Sequence, residues 1–124
     1  MSFSYFLSDL AKFLFHLRYS SSETYAGFWL NGKKNGKGTI TFRNDDRFEG
    51  EWRLGEINGE GKYTFGNRDE YEGNWMNGKR VGQGVYQWRH GIKYAGGWEN
   101  DKMTVGELIM EDGSSYYYRD DGQF

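Results

Sequence analysis

Between residues 48 and 53, apolar or glycine positions alternate with charged ones: Phe48, Gly50 and Trp52 against Glu49, Glu51 and Arg53. Successive side chains of a strand point to opposite faces, so this run reads as a strand with one aromatic and one charged face. A second alternating run follows, with Gly61, Tyr63 and Phe65 set against Lys62 and Thr64. Between the two lies Leu54-Gly55-Glu56-Ile57-Asn58-Gly59, in which Asn-Gly accepts positive φ at both places and signals a hairpin turn. Asn31-Gly32, Asn35-Gly36 and Asn77-Gly78 repeat that chemistry. Arg43-Asn44-Asp45-Asp46, Gly66-Asn67-Arg68-Asp69, Arg89-His90-Gly91 and Glu111-Asp112-Gly113 are turn-forming joints, so consecutive hairpins line up as a meander.

The strand pattern returns with a 23-residue period: Tyr25-Ala-Gly27-Phe-Trp29, Phe48-Glu-Gly50-Glu-Trp52, Tyr71-Glu-Gly73-Asn-Trp75 and Tyr94-Ala-Gly96-Gly-Trp98. Gly32, Gly36 and Gly38 likewise become Gly55, Gly59 and Gly61, then Gly78, Gly82 and Gly84. So short a period implies stacked units, each completing its neighbour's core. The units run over residues 25–47, 48–70 and 71–93, with a degenerate fourth at 94–115 and a remnant strand at 116–118; residues 119–124 form a tail. In the fourth unit Asp101 stands where Gly32, Gly55 and Gly78 stood, one residue is lost in the turn, and Thr104 replaces the first glycine of the following pair. Glycine within a strand costs roughly 0.5–1 kcal/mol relative to alanine, so its recurrence implies a ring lying over the bare backbone.

Residues 1–24 lack the glycine period. Phe3, Phe6, Leu7, Leu10, Phe13, Leu14 and Leu17 fall at spacings of three and four, which predicts an amphipathic helix over residues 1–19 followed by a polar linker. Asp9, Lys12 and Arg18 interrupt it, so it is not a membrane-spanning helix. That apolar face has three readings: a cover for the chain's own sheet, a docking face for another protein, or a membrane-interface or targeting segment.

The frame Tyr/Phe-x-Gly-x-Trp, then Gly, Gly-x-Gly and a second aromatic strand, resembles the MORN repeat (membrane occupation and recognition nexus) over residues 25 to about 118. The resemblance implies a mainly β fold, an elongated single-layer antiparallel β-meander of stacked β-hairpins, here with one N-terminal amphipathic α-helix. It also implies a shallow aromatic groove, in which alternation places Tyr25, Trp29, Phe42, Phe48, Trp52, Tyr63, Phe65, Tyr71, Trp75, Tyr86, Trp88, Tyr94 and Trp98.

Composition removes several function classes. Of 124 residues 36 % are hydrophobic and 19 % aromatic, so rings packed on glycines must supply the core. The net charge is −2, which argues against a nucleic-acid partner, although residues 25–47, 48–70, 71–93 and 94–124 carry +3, −3, +3 and −5 in turn. There is no cysteine, and the two histidines, His16 and His90, are too few for a metal site. The stretch from Gly32 to Thr39 lacks the spacing of a phosphate-binding loop. Asp45-Asp46 and Asp120-Asp121 fall in turns or at the terminus, where aspartate serves local hydrogen bonds. No nucleophile, base and orienting group assemble, so the chain reads as no enzyme, with no cofactor, metal or small-molecule substrate.

The function expected is a non-catalytic protein–protein interaction scaffold or accessory structural subunit of a larger assembly, binding other protein subunits through the aromatic groove, sheet edges and N-terminal helix. The alternative is a peripheral attachment module for anionic phospholipid, with Lys33, Lys34, Lys37, Lys79 and Arg80 as candidate lipid contacts. The resemblance implies an intracellular location, cytoplasmic, cytoskeletal, ciliary or membrane-associated, with an organellar (mitochondrial) complex as a further setting.

Overall fold

The computed structural model describes residues 13–19, as backbone, and residues 23–120. They form one antiparallel sheet in which every strand pairs only with its neighbours in sequence. Its strands are β1 (Phe13–Tyr19), β2 (Glu23–Leu30), β3 (Lys33–Phe42), β4 (Arg47–Arg53), β5 (Glu56–Thr64), β6 (Glu70–Met76), β7 (Lys79–Gln87), β8 (Lys93–Glu99), β9 (Lys102–Ile109) and β10 (Ser115–Arg119). The nine strands from β2 onward are the repeat meander, and no helix occurs among the described residues.

The expected helix meets strand β1 at its C-terminal end. Phe13, Leu14 and Leu17 lie in β1, which runs antiparallel to β2 with Phe13 opposite Phe28 and Tyr19 opposite Thr24. Phe3, Phe6, Leu7 and Leu10 lie outside the described residues. Phe13, Phe15, Leu17 and Tyr19 also alternate with Leu14, His16 and Arg18, so this stretch carries a strand period alongside the helical one. The open backbone edge of β2 decides between them by offering a row of unpaired N–H and C=O groups.

The hairpin turns are tighter than the sequence suggests. They are two residues long, Asn31-Gly32, Leu54-Gly55, Asn77-Gly78 and Asn100-Asp101, each with positive φ at both places. Leu54 holds φ 49°, a conformation that a leucine adopts only where its surroundings enforce it. Here its N–H donates to Asn35 Oδ1 at 2.9 Å, and the next amide, of Gly55, donates to the Lys34 carbonyl at 2.8 Å. Asn35-Gly36 and Asn58-Gly59 are not turns but parts of β3 and β5, where the register slips within each hairpin. The residue missing from the fourth unit is missing from this bulge. Trp98 still pairs with Met103 as Trp52 does with Ile57, but only two residues separate Met103 from Gly106, where three separate Ile57 from Gly61.

The core lies on one face of the sheet and consists of Tyr25, Ile40, Phe48, Trp52, Tyr71, Trp75, Tyr94 and Trp98. Ile40 occupies in the first unit the place that Tyr63 and Tyr86 hold in the next two, opposite the ring that opens the following strand.

Candidate docking surface

Tyr25, Phe48, Tyr71 and Tyr94 open their units and are at most 2 % exposed. Each ring lies across a pair of facing glycines in its own hairpin: Gly27 and Gly38, Gly50 and Gly61, Gly73 and Gly84, or Gly96 and Gly106. A Cβ at Gly38 or Gly84 would collide with the phenol end of Tyr25 or Tyr71, which explains why the pairs recur. The phenols of Tyr25, Tyr71 and Tyr94 donate to the carbonyls of Phe28, Asn74 and Gly97 at 2.9, 3.1 and 2.9 Å. Burial pushes the Tyr25 and Tyr71 phenols up to about 12, with the Arg80 charge drawing Tyr71 partly back, and it raises Tyr94 as well.

The tryptophans join the units. Trp52 stands edge-on to Phe48 of its own unit at 5.6 Å and to Tyr25 of the preceding one at 5.5 Å. Trp75 does the same with Tyr71 and Phe48 at 5.1 and 5.4 Å, and Trp98 with Tyr94 and Tyr71 at 5.5 and 5.0 Å. Their indole N–H groups donate back to the carbonyls of Gly38, Gly61 and Gly84 at 3.1, 3.1 and 3.2 Å. Such ring pairs contribute about 0.5–1.5 kcal/mol each beyond the area they bury. After Tyr94 the place of the next tryptophan is taken by Tyr118, edge-on at 5.5 Å, so a tyrosine closes the described stack.

These seven rings are core, and the partner-accessible part of the expected groove is the remainder: Trp29, Phe42, Tyr63, Phe65, Tyr86 and Trp88, all partly buried against it. Five of them form a continuous ribbon beside the joints. Ring centroids step from Phe42 to Tyr63 (6.3 Å), to Phe65 (4.6 Å), to Tyr86 (5.7 Å) and to Trp88 (4.9 Å). Two aspartates of the joints hold the ribbon at its tyrosines. Asp46 accepts the Tyr63 phenol at 2.7 Å and the Gly66 amide at 2.7 Å, and Asp69 accepts the Tyr86 phenol at 2.8 Å and the Arg89 amide at 2.9 Å. Burial, then the bond and charge of Asp46, raise the Tyr63 phenol, and burial with Asp69 pushes Tyr86 up to about 12. At the third joint Ile92 stands where these aspartates stood. The ribbon ends beside a cavity of about 410 Å³ lined by Trp88, Trp98, Met103 and Tyr118.

The five basic residues read as lipid contacts do not share a surface. Lys34 holds its ammonium 5.3 to 5.7 Å from the rings of Tyr25, Trp29 and Trp52 and lies 3.8 Å from Glu23. Arg80, its counterpart two units on, stacks on Trp98 at 4.7 Å and reaches Asp101 Oδ1 at 3.0 Å. Lys37 lies on the other face, opposite Glu51. Lys33 and Lys79 remain exposed beside equivalent hairpin turns. On that other face a trough of about 670 Å³ carries Lys37, Glu49, Glu51, Glu60, Lys62 and Glu72. Lys62 stands opposite Glu49 and Glu72 and lies 3.4 Å from Glu70, so much of its charge is compensated within the sheet.

Among the described residues no group of three His, Cys, Asp or Glu side chains is placed to hold a metal ion. A family model described as MORN repeat matches residues 25–47, 48–70, 71–91 and 94–105. No curated protein matches the chain.

Proposed function

Because the chain belongs to the MORN-repeat family, whose repeats are generally protein- or membrane-interaction modules and generally non-enzymatic, we propose that it is a non-catalytic docking subunit that offers its ring ribbon to a partner protein within a larger assembly. The observation that carries this reading is the ribbon itself: Phe42, Tyr63, Phe65, Tyr86 and Trp88 are in ring contact yet only partly buried, packed on the core, with the two tyrosine hydroxyls held by Asp46 and Asp69. Rigid aromatics backed by a fixed scaffold lose little side-chain entropy on binding and make strong anchors.

The test compares the full chain with a Phe65→Ser, Trp88→Ser variant whose melting temperature has been checked. Native purification followed by mass spectrometry should return a stoichiometric protein partner with the parent chain and lose it with the variant. Phosphatidylserine vesicles form the second arm. Sedimentation with them at low salt that survives the ring substitutions and is lost in Lys33→Glu, Lys79→Glu would replace the protein-docking reading with the membrane one.

A further inference from the structure

We infer that the occupant of the ring ribbon is a proline-rich segment of the partner in the polyproline II conformation, with acidic residues along one side. This rests on the ring-ribbon reading and adds the chemistry of the segment that docks there.

Phe42, Phe65 and Trp88 hold the same place in three consecutive units, at the end of every second strand. Neighbouring strands lie about 4.8 Å apart, so these rings recur about every 9.6 Å along the sheet. Tyr63 touches both Phe42 and Phe65, and Tyr86 both Phe65 and Trp88, so a ring rather than bare backbone spans each gap. That interval selects among the regular shapes a docking segment can take. A polyproline II helix rises about 3.1 Å per residue with three residues per turn, so one edge returns about every 9.3 Å, within about 0.3 Å of the rings. Two of its turns reach from Phe42 to Trp88 with every third residue on a ring. An α-helix returns to the same face after about seven residues, or about 10.5 Å, and is about 1.8 Å out of step at the third ring. An added β-strand presents one face about every 6.7 or 13.4 Å and misses the second ring altogether. Aromatic-lined grooves take proline segments in this conformation, whose preformed shape loses little entropy on docking.

The joints bordering this row supply the charge. Gly66 and Arg89 directly follow Phe65 and Trp88, and an open hollow of about 530 Å³ there is lined by Gly66, Asn67, Arg68, Arg89 and His90, with no carboxylate in its wall. Neither the Arg68 nor the Arg89 guanidinium is in an ion pair with another described residue. Asp69 is buried, and its oxygens accept the Tyr86 phenol and the Arg89 amide. Glu111 lies against Gly91, outside the wall of the hollow. Two unpaired guanidiniums beside an aromatic row fit carboxylates of the docked segment, carried at the positions between its ring contacts.

The probe is an end-blocked synthetic peptide of three Pro-Pro-Glu triplets, titrated into the ¹⁵N-labelled full chain. Amide shifts should centre on Phe65, Tyr86 and Arg89, together with the indole N–H of Trp88. Affinity should fall at least about tenfold in Phe65→Ser, Trp88→Ser and, separately, in Arg68→Glu, Arg89→Glu. The second pair replaces exposed side chains of the joints, and an unchanged melting temperature verifies that the sheet is intact. Lys37→Glu, on the other face, should leave the affinity unchanged. A Pro-Pro-Lys peptide should bind at least about tenfold more weakly, and a helical leucine–glutamate peptide should not compete. Absence of shifts at about 1 mM peptide, shifts centred on the other face, affinity indifferent to both pairs of substitutions, or tighter binding of the helical peptide would each overturn this inference. Loss of the native partner in Phe65→Ser, Trp88→Ser would in that event leave the ring-ribbon reading standing. Conversely, capture of the native partner that survives the ring substitutions, with the proline peptide still seated on Phe65 and Trp88 of the parent chain, would overturn the ring-ribbon reading alone.

Discussion

Adding one methyl group at Gly84 should cost several times what it costs at Gly78. A Cβ on Gly84 would come within 2.5 Å of Tyr71 Cε1 and closer still to Cζ and Oη, where ordinary contact needs at least 3.4 Å. The ring must therefore retreat by about 1 Å. Tyr71 is 0 % exposed, flanked by Trp75 at 5.1 Å and Trp98 at 5.0 Å, and tied through its phenol to the Asn74 carbonyl at 3.1 Å. Overpacking of this kind costs about 1–3 kcal/mol and the weakened hydrogen bond about 1 more, so Gly84→Ala should destabilise by about 2–4 kcal/mol. At Gly78, φ is +80° and no atom lies within 4 Å of the added carbon, leaving only the left-handed backbone penalty of about 1 kcal/mol. For a domain of this size each kcal/mol moves the melting temperature by roughly 3–5 °C. Calorimetry with near-ultraviolet circular dichroism of the tryptophans should show a fall of about 6–20 °C for Gly84→Ala and about 3–5 °C for Gly78→Ala. Equal falls would refute the account in which the ring, rather than the backbone conformation, selects glycine.

Alkaline pH should unfold the array in a defined window. The Tyr25, Tyr71 and Tyr86 phenols are raised to about 12 in the fold against 10 in the unfolded chain, so their stabilisation is complete below pH 10 and drains away as pH rises toward 12. Tyrosinate absorbance and circular dichroism should change together there, and titration of these three phenols near pH 10 with the dichroism intact would refute the burial argument. Asp69→Ala removes the acceptor of both the Tyr86 phenol and the Arg89 amide, and should cost about 2–4 kcal/mol in urea denaturation while bringing the Tyr86 phenol down toward its ordinary value. A loss under about 0.5 kcal/mol would show that the bonds are replaced by water. Tyr71→Phe should cost only about 1 kcal/mol in the same assay, since Phe48 fills the equivalent place without a hydroxyl. A loss above about 3 kcal/mol would mean that the phenol holds more than the Asn74 carbonyl.

The repeat frame made the meander and its aromatic face legible because Tyr71, Gly73 and Trp75 are the same residues, at the same spacing, as Tyr25, Gly27 and Trp29. Ile40 escaped notice because the face was read through its rings and this position carries an aliphatic side chain. Asp46 and Asp69 were legible as turn residues, but their carboxylates act 17 and 20 residues ahead, a reach that only their shared phase in the repeat hints at. Lys34 and Arg80 also share a phase, with Ile57 between them and Met103 after. That the phase tolerates aliphatic residues is a signal that it faces the rings rather than a lipid surface. The turn at Leu54-Gly55 was legible only through its phase with Asn31-Gly32 and Asn77-Gly78, since a leucine at positive φ contradicts local preference and is held there with the help of Asn35 in the preceding unit.

Strand order in this sheet repeats chain order from β1 to β10 without a crossover. Most all-β folds assemble slowly because distant segments must find one another before any pairing is rewarded. Here each strand's partner is at most one joint or turn away along the chain, so the array has the low contact order of a helical bundle and is expected to fold correspondingly fast. A chain with this topology need not be complete to begin closing, and on the ribosome its units can zip up one after another as they emerge.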